Sequence, residues 1–222
     1  MKLFSYFRSS AAFRVRIALG LKGLPYDYAA VHLARGEQLQ ADYRSTHPDA
    51  LVPVLEDEGE LLTQSVAIME YLDEVHTDAP LLPASPLAKA RVRALALSIA
   101  CEIHPLNNLR VLKFLQAEMG LPDTSKDRWY HHWTRQGLES FETQLLKLDA
   151  WQQARGGAAP GTFCFGDTPT QADCCLVPLI FNARRFAVPL EGLPRTMAAF
   201  EACMALPAFQ AAIPDACPDA PR

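Results

Sequence analysis

Lys2-Leu3-Phe4-Ser5-Tyr6-Phe7-Arg8-Ser9-Ser10-Ala11-Ala12-Phe13-Arg14-Val15-Arg16-Ile17-Ala18-Leu19-Gly20-Leu21-Lys22-Gly23 is the stretch whose reading decides the fold. Lys2 to Tyr6 reads as a strand. Ser10 to Lys22 reads as a helix with Val15, Ala18, Leu19 and Leu21 as apolar positions. Gly23 then supplies the stop that a left-handed C-terminal residue favours. The alternation continues outward from this pair. Tyr26 to Val31 is a second strand, and a polar, poorly periodic piece runs from Arg35 to Arg44. Val52 to Glu56 and Glu60 to Thr63 read as two short strands around the turn Asp57-Glu58-Gly59, with glycine at the permissive position. Ser65 to Val75 closes the series as a helix, with Ser65 as N-cap and Ile68, Met69, Leu72 and Val75 on one face. The order β-α-β-α-β-β-α describes an open α/β sheet of four strands.

Pro80, Pro83 and Pro86, with Ser85, make a breaker-rich stretch that reads as a linker. The expected domains are residues 1–80 and 87–222, with 81–86 between them. Beyond the linker no strand pattern is seen. Val92, Leu95, Ala96, Ile99, Ile103 and Leu106 recur at helical spacing, so a long amphipathic helix starts near Leu87 and is kinked by Pro105. A second long helix runs from Thr124 to Gln153, and Gly156 to Gly161 breaks the pattern. Thr170-Gln171-Ala172-Asp173 reads as a capping box ahead of an apolar helix. The tail, residues 214–221 with three prolines and two aspartates, reads as a loose terminal arm. The fold class is therefore α/β plus all-α.

Composition bounds the function. The 222 residues are 50% hydrophobic and 21% charged, with a formal net charge of −4, as in ordinary soluble globular proteins. Residues 1–83 carry 7 Lys/Arg against 12 Asp/Glu, while 84–222 carry 14 against 13. So mild a balance implies no nucleic-acid partner. No aliphatic stretch approaches the roughly 20 residues that span a bilayer, and no apolar leader opens the chain, so no membrane is expected. Six cysteines, all from Cys101 onward and without CxxC spacing, read as reduced thiols of a cytoplasmic protein.

Several places carry chemistry or a plainer structural role. Arg8-Ser9-Ser10 lies where a strand hands over to a helix, so backbone N–H groups and two hydroxyls favour an anion there, or Ser9 simply caps the helix. Pro53 opens a strand. If the Val52–Pro53 bond is cis, the Val52 backbone turns outward to pair with an extended peptide-like ligand. Gln64-Ser65 heads another helix and offers a second anion site or a cap. His104 adjoins Pro105, with Asn107, Asn108 and Arg110 following, and reads as a structural histidine or a cleft wall. Arg184-Arg185 ends an apolar helix and serves its dipole or clamps a carboxylate. His131-His132 reads as a solvated face. No HExxH, phosphate loop or GxSxG occurs, so no metal or nucleotide is expected.

At these residues the sequence resembles the zeta class of glutathione transferases. Ser9-Ser10-Ala11-Ala12-Phe13-Arg14-Val15-Arg16-Ile17-Ala18-Leu19 is similar to the class signature Ser-Ser-Cys-x-Trp-Arg-Val-Arg-Ile-Ala-Leu. The resemblance continues through Leu51-Val52-Pro53, Gln64-Ser65, Ile103-His104-Pro105-Leu106, Gly166-Asp167 to Asp173, and Asn182 to Phe186. It implies a thioredoxin-like N-terminal domain followed by an all-helical C-terminal domain, a homodimer, and glutathione as cofactor. It also implies that Ser9 activates the glutathione sulfur with Ser10 assisting, next to Ala11. Val52 and a cis Pro53 would pair with the cysteinyl backbone, Gln64 and Ser65 would hold the γ-glutamyl end, and Gln38 would lie near the glycyl end. His104, Asn108, Leu109 and Arg110 would line the site from the helical part, and Arg8 and Arg185 would grip an unsaturated keto diacid. Ala11 and Phe13 stand where the class has Cys and Trp, so activation rests on Ser9, Ser10 and the backbone.

The activity this resemblance implies is glutathione-dependent cis–trans isomerisation of maleylacetoacetate to fumarylacetoacetate in aromatic amino acid catabolism. Thiolate adds to the conjugated cis double bond, the resulting single bond rotates, and elimination returns the thiolate. Alternatives are isomerisation of maleylpyruvate in the gentisate route, general conjugation, haloacid dehalogenation, or a non-enzymatic glutathione-binding scaffold.

Overall fold

The computed structural model describes residues 1–157 and 160–221. They form two compact units, Met1–Leu81 with Met204–Arg222, and Leu82–Cys203.

In the first unit, β1 (Lys2–Ser5) leads into α1 (Ser10–Leu21), and β2 (Asp27–Ala30) follows. Gly23, at φ 65°, ends the helix as the sequence predicts. The polar piece after β2 is two 3-10 turns, Leu33–Arg35 and Glu37–Leu39, and the short α2 (Ala41–Thr46). The hairpin of β3 (Val54–Asp57) and β4 (Glu60–Thr63) then hands over to α3 (Ser65–Val75). The sheet order is β2-β1-β3-β4, with β1 parallel to β2 and antiparallel to β3. This is the thioredoxin-like arrangement the sequence implies. Phe4 stands opposite Val54, so the chain leaving β1 runs past the chain entering β3. Leu3, Val54 and Leu55 from the sheet, Ile17 and Leu19 from α1, and Ile68, Met69 and Leu72 from α3 are buried.

The second unit holds α4 (Pro86–Leu97), α5 (Leu109–Ala117), α6 (Asp123–Gln153), α7 (Gln171–Arg185) and most of α8 (Pro194–Met204). Pro105 does more than kink a helix. Helix α4 stops at Leu97, residues Ser98–Ile103 take a π-helical turn, and His104 N–H reaches back to Ile99 O at 2.9 Å. Proline lacks the N–H for a regular turn and its ring crowds the turn before it, so the ladder loosens upstream and breaks downstream. After a 3-10 turn, Pro105–Asn107, the chain starts α5 afresh with Asn108 as its cap. The capping box at Thr170 is present, and buried Asp173 accepts from Thr170 N–H, Thr170 Oγ and Cys164 N–H. Helix α8 is anchored to α6 by Arg195, whose Nε lies 2.7 Å from Asp149, and by Glu142, which accepts from the Arg195 and Thr196 N–H groups. Residues 158 and 159, within the expected break from Gly156 to Gly161, lie outside the described residues.

The tail corrects two expectations. From Met204 the chain belongs with the first unit, so residues 87–222 do not form one all-α domain. Nor is the end a loose arm: α9 (Pro207–Ala211) packs on α1, a 3-10 turn spans Pro214–Ala216, and Cys217 is buried. Its prolines set the tail's direction, and its anchors are partners some two hundred residues upstream, which no local pattern reveals.

Among the described residues no helix is long and apolar enough to cross a membrane. All six cysteines are free thiols.

Candidate active site

The corner between β1 and α1 is built around Ser9. Its backbone is extended (φ −73°, ψ 113°), and its Oγ accepts from Ala12 N–H at 3.2 Å. The plain capping role is therefore real. Accepting through a lone pair leaves the hydroxyl proton to donate elsewhere, at the positive end of a twelve-residue helix. Ser10 is buried and Ala11 half-buried, and Phe13 fills the core at 2% exposure. Arg8 is exposed, its guanidinium 5.0 Å from the Phe7 ring centroid.

Two arginines of the opening motif have structural work that the sequence reading did not assign. Arg14, buried in α1, donates from Nη1 to Ser65 Oγ at 3.1 Å and so ties the head of α3 to α1. Arg16, also buried, donates to Ser5 Oγ, Tyr6 O, Phe7 O and Ala212 O. The signal was in plain view. A guanidinium has five donors and no acceptor, so two arginines in an apolar helix demand carbonyls and hydroxyls around them.

Val52 precedes β3, outside the paired register that ends at Phe4 and Val54, and the Val52–Pro53 bond is cis. Its side chain joins a buried cluster with Tyr6, Phe7, Val31 and Cys217, so Val52 is brought beside the corner that carries Ser9. Gln64, exposed at the head of α3, holds φ 68° and ψ 110°. A non-glycine residue held there costs about 1–3 kcal/mol and points to a constraint beyond local preference. Ser65 is buried and accepts from Arg14. Gln38 sits on the turn Glu37–Leu39, and its Oε1 is buried with no hydrogen-bond partner among the described residues. Arg14 thus ties α1 to the head of α3, and the apolar cluster joins Val52 to the corner before α1, while Gln38 sits on the turn after β2. A separate cavity of about 330 Å³, lined by His32, Arg35, Glu37 and Asp219 among others, includes none of these residues.

In the helical unit, one stretch of α6 gathers the expected residues. Asn107 donates to Thr134 Oγ at 2.9 Å and Trp129 Nε1 to Leu106 O at 2.9 Å, which docks the corner after His104. His104 is half-buried, with Nε2 3.5 Å from Asn108 Nδ2, and Asn108 Oδ1 accepts from Arg110 N–H at 3.1 Å. Leu109 and Arg110 are exposed. At the other end of the same stretch, Tyr130 stacks on Phe186 with ring centroids 4.0 Å apart. Burial pushes the Tyr130 phenol up to about 12, against the opposing pull of Arg185. The two arginines that end α7 differ. Arg184 pairs with Glu201 at 2.9 Å, while Arg185, exposed, lies 4.7 Å from the Phe186 ring centroid. His131 is not the solvated residue expected from sequence, since its Nε2 meets Phe186 O at 2.6 Å.

A sheet of this order with a serine at the β1–α1 corner and a cis proline before β3 is a thioredoxin-like domain of the kind glutathione transferases carry. The sequence profile "Glutathione S-transferase, N-terminal domain" matches residues 1–74. The maleylacetoacetate isomerase of Pseudomonas aeruginosa is 43% identical over 224 residues, covering 100% of this chain and 99% of that protein. A holo structure of maleyl pyruvate isomerase, described as a bacterial glutathione-S-transferase in the zeta class, superimposes with a TM-score of 0.91 at 42% identity, covering 100% of both chains. Maleylacetoacetate isomerase from Anaeromyxobacter dehalogenans 2CP-1, solved with glutathione in its active site, gives a TM-score of 0.85 at 45% identity over 99% of this chain and 97% of that one. The chain belongs to the zeta class of the glutathione transferase family.

Proposed function

We propose that this protein is a glutathione-dependent cis–trans isomerase that converts maleylacetoacetate to fumarylacetoacetate. The observation that carries the chemistry is Ser9, whose hydroxyl accepts from Ala12 N–H and keeps its proton to donate, at the head of α1. The substrate follows from full-length likeness to maleylacetoacetate isomerases.

The first unit fits glutathione, a peptide with a carboxylate at each end. Gln38 offers a buried acceptor without a hydrogen-bond partner among the described residues, Val52 a backbone outside the sheet register, and Gln64 a constrained backbone at a helix start. When bound, glutathione supplies the thiolate that adds to the cis double bond and departs once the resulting single bond has rotated.

Each residue has a task around that step. Ser9 donates its hydroxyl proton towards the sulfur, and the head of α1 with Ser10 and Ala11 favours the anion. A free thiol has a pKa of about 8.5, so such help is needed near neutral pH. Val52 with Pro53 aligns the peptide backbone, Gln64 and Ser65 hold the γ-glutamyl end, and Gln38 the glycyl end. Residues 1–80, with the tail from Met204 packed onto them, form the glutathione-binding domain. In the helical part, His104, Asn108, Leu109 and Arg110 contribute to the ligand site. Arg8 and Arg185 bind the acid's carboxylate and keto oxygens, and Arg185 stabilises the negative charge that builds there during addition. The protein works in the cytoplasm as a homodimer. Six free thiols support the first assignment, and exposed Val75, Leu87 and Leu97 support the second.

Maleylpyruvate is the second reading, favoured by the TM-score of 0.91 to maleyl pyruvate isomerase. A side-by-side assay of both maleyl acids with glutathione decides between them. Higher kcat/KM for maleylacetoacetate is expected. A preference for maleylpyruvate replaces the substrate, and binding of glutathione without turnover of either acid leaves only the scaffold.

A further inference from the structure

The corner that carries Ser9 is irregular backbone, yet a hydroxyl that stabilises a developing anion must be held to within about 0.5 Å. The C-terminal tail supplies the restraint. Asp219 accepts Phe7 N–H on Oδ2 at 3.0 Å and the Tyr28 hydroxyl on Oδ1 at 2.6 Å. Phe7 O accepts in turn from Arg16 Nη2 at 3.2 Å, so the N–H and the C=O of Phe7 are both fixed, two residues before Ser9. The same guanidinium donates from Nε to Ala212 O at 3.1 Å, which ties the tail's own backbone to α1. Gly20 lets α9 come close, since a Cβ there would stand 3.3 Å from Ala208 O. Cys217 is packed with Tyr6, Phe7, Val31 and Val52, so the tail supports both the Ser9 corner and the approach to Pro53. Burial and the bond to Asp219 hold the Tyr28 phenol in its protonated, donating form.

We propose that the tail braces the thiol-activating corner, and that Asp219 is a positioning residue that sets Ser9 through Phe7 and Tyr28. This rests on the assignment of Ser9 made above. Asp219 touches neither sulfur nor substrate; it fixes where the Ser9 hydroxyl points.

The test uses the full chain carrying Asp219→Ala, with Tyr28→Phe as a milder variant. The pKa of the bound glutathione thiol is read from thiolate ultraviolet absorbance across a pH titration, beside kcat, glutathione affinity and thermal stability. Asp219→Ala is expected to lower kcat about tenfold and to raise the bound-thiol pKa by about one unit, the same free energy in two readouts. Combined with Ser9→Ala it should add almost nothing, because the group it positions is gone. A variant that loses thermal stability while keeping the wild-type thiol pKa and kcat overturns the proposal, as does full additivity with Ser9→Ala. If Asp219→Ala does not fold, Tyr28→Phe is read in the same way, with an expected fall in kcat of about threefold. If Ser9→Ala alone leaves the thiol pKa unchanged, it is the Ser9 assignment that fails. Hydrogen exchange at Phe7 N–H then tests the brace on its own. Exchange at least about tenfold faster in Asp219→Ala supports it, and unchanged exchange overturns it.

Discussion

The corner ahead of α1 and the corner ahead of α5 are made to the same plan and finished differently. Each ends in a short polar residue whose side chain caps the next helix, Ser9 onto Ala12 N–H and Asn108 onto Arg110 N–H. The first corner is wired from within. Arg16 holds Ser5, Tyr6 and Phe7, Asp219 holds Phe7 again, and both arginines of α1 are buried. The second is held by two bonds to α6, from Asn107 and to Leu106, and leaves Leu109 and Arg110 exposed. The difference matches the proposed division of labour. Lowering a thiol pKa is a local task that rewards a fixed donor, whereas gripping a flexible diacid rewards cations with room to adjust.

The largest effect is expected from breaking the wiring of the first corner. Arg16→Met removes one buried cation and the donor to the carbonyls of Phe7 and Ala212, while Tyr6 O keeps the Ser9 N–H and the Ser5 hydroxyl keeps Tyr28. Each buried acceptor left unpaired costs about 1–3 kcal/mol, so a loss of about 4 kcal/mol is expected in urea unfolding. A loss below about 1 kcal/mol would mean that the corner holds itself together. Next in size is Ser9→Ala, which should lower turnover by about 10²-fold, as losing one oxyanion donor does. It also removes a cap worth about 1 kcal/mol, so Ser9→Asp is the control. Asp keeps the cap and has no proton to donate at neutral pH; stability should return without turnover. Recovery of turnover in Ser9→Asp would show that the helix start alone activates the thiol.

Much of this arrangement was legible in the sequence, and the missing parts share a cause. The succession of strands and helices along residues 2–75, the helix of Ser65–Val75 and the Thr170 capping box all rest on patterns within a few residues, which periodicity and caps report, whereas the pairing of β1 with β3 joins residues some fifty positions apart. The capping of Ser9 and the singular behaviour of Pro105 were visible for the same reason, although a kink was expected where the helix actually ends. Helix α1 was harder to read, because it is buried almost all round and packs on both α3 and α9, so the four apolar positions read from its sequence understate its core face and give Arg14 and Arg16 no role. The tail was misread because its three prolines and two aspartates match the composition of loose segments. Asp219 finds Phe7 at a separation of 212 residues, and only the folded chain brings them together.

The neighbouring arginines at the end of α7 repeat the contrast on a smaller scale. Arg184 spends its charge on Glu201, an exposed pair worth about 0–1 kcal/mol, while Arg185 lies over the Phe186 ring at 4.7 Å. Arg185→Ala should raise KM for the diacid about tenfold, in line with the loss of a charge-assisted hydrogen bond, and leave KM for glutathione unchanged. Arg184→Ala should change neither. Equal effects of the two variants, or an equal rise in both constants for Arg185→Ala, would remove Arg185 from the substrate site.

The smallest effect separates cap from ligand contact at the second corner. Asn108→Ala should cost about 1 kcal/mol of stability through the lost bond to Arg110 N–H. Asn108→Ser restores an N-cap oxygen but is too short to reach His104 or a ligand as the amide does, so it distinguishes the two roles in one comparison. If Asn108 only caps α5, the serine variant recovers stability and glutathione affinity together. If its Nδ2 also serves the ligand site, as proposed, stability returns while affinity stays down. The expected result is the split, measured by urea unfolding beside glutathione titration. It would show that the looser corner, like the tighter one, uses a single side chain both to start a helix and to meet the ligand.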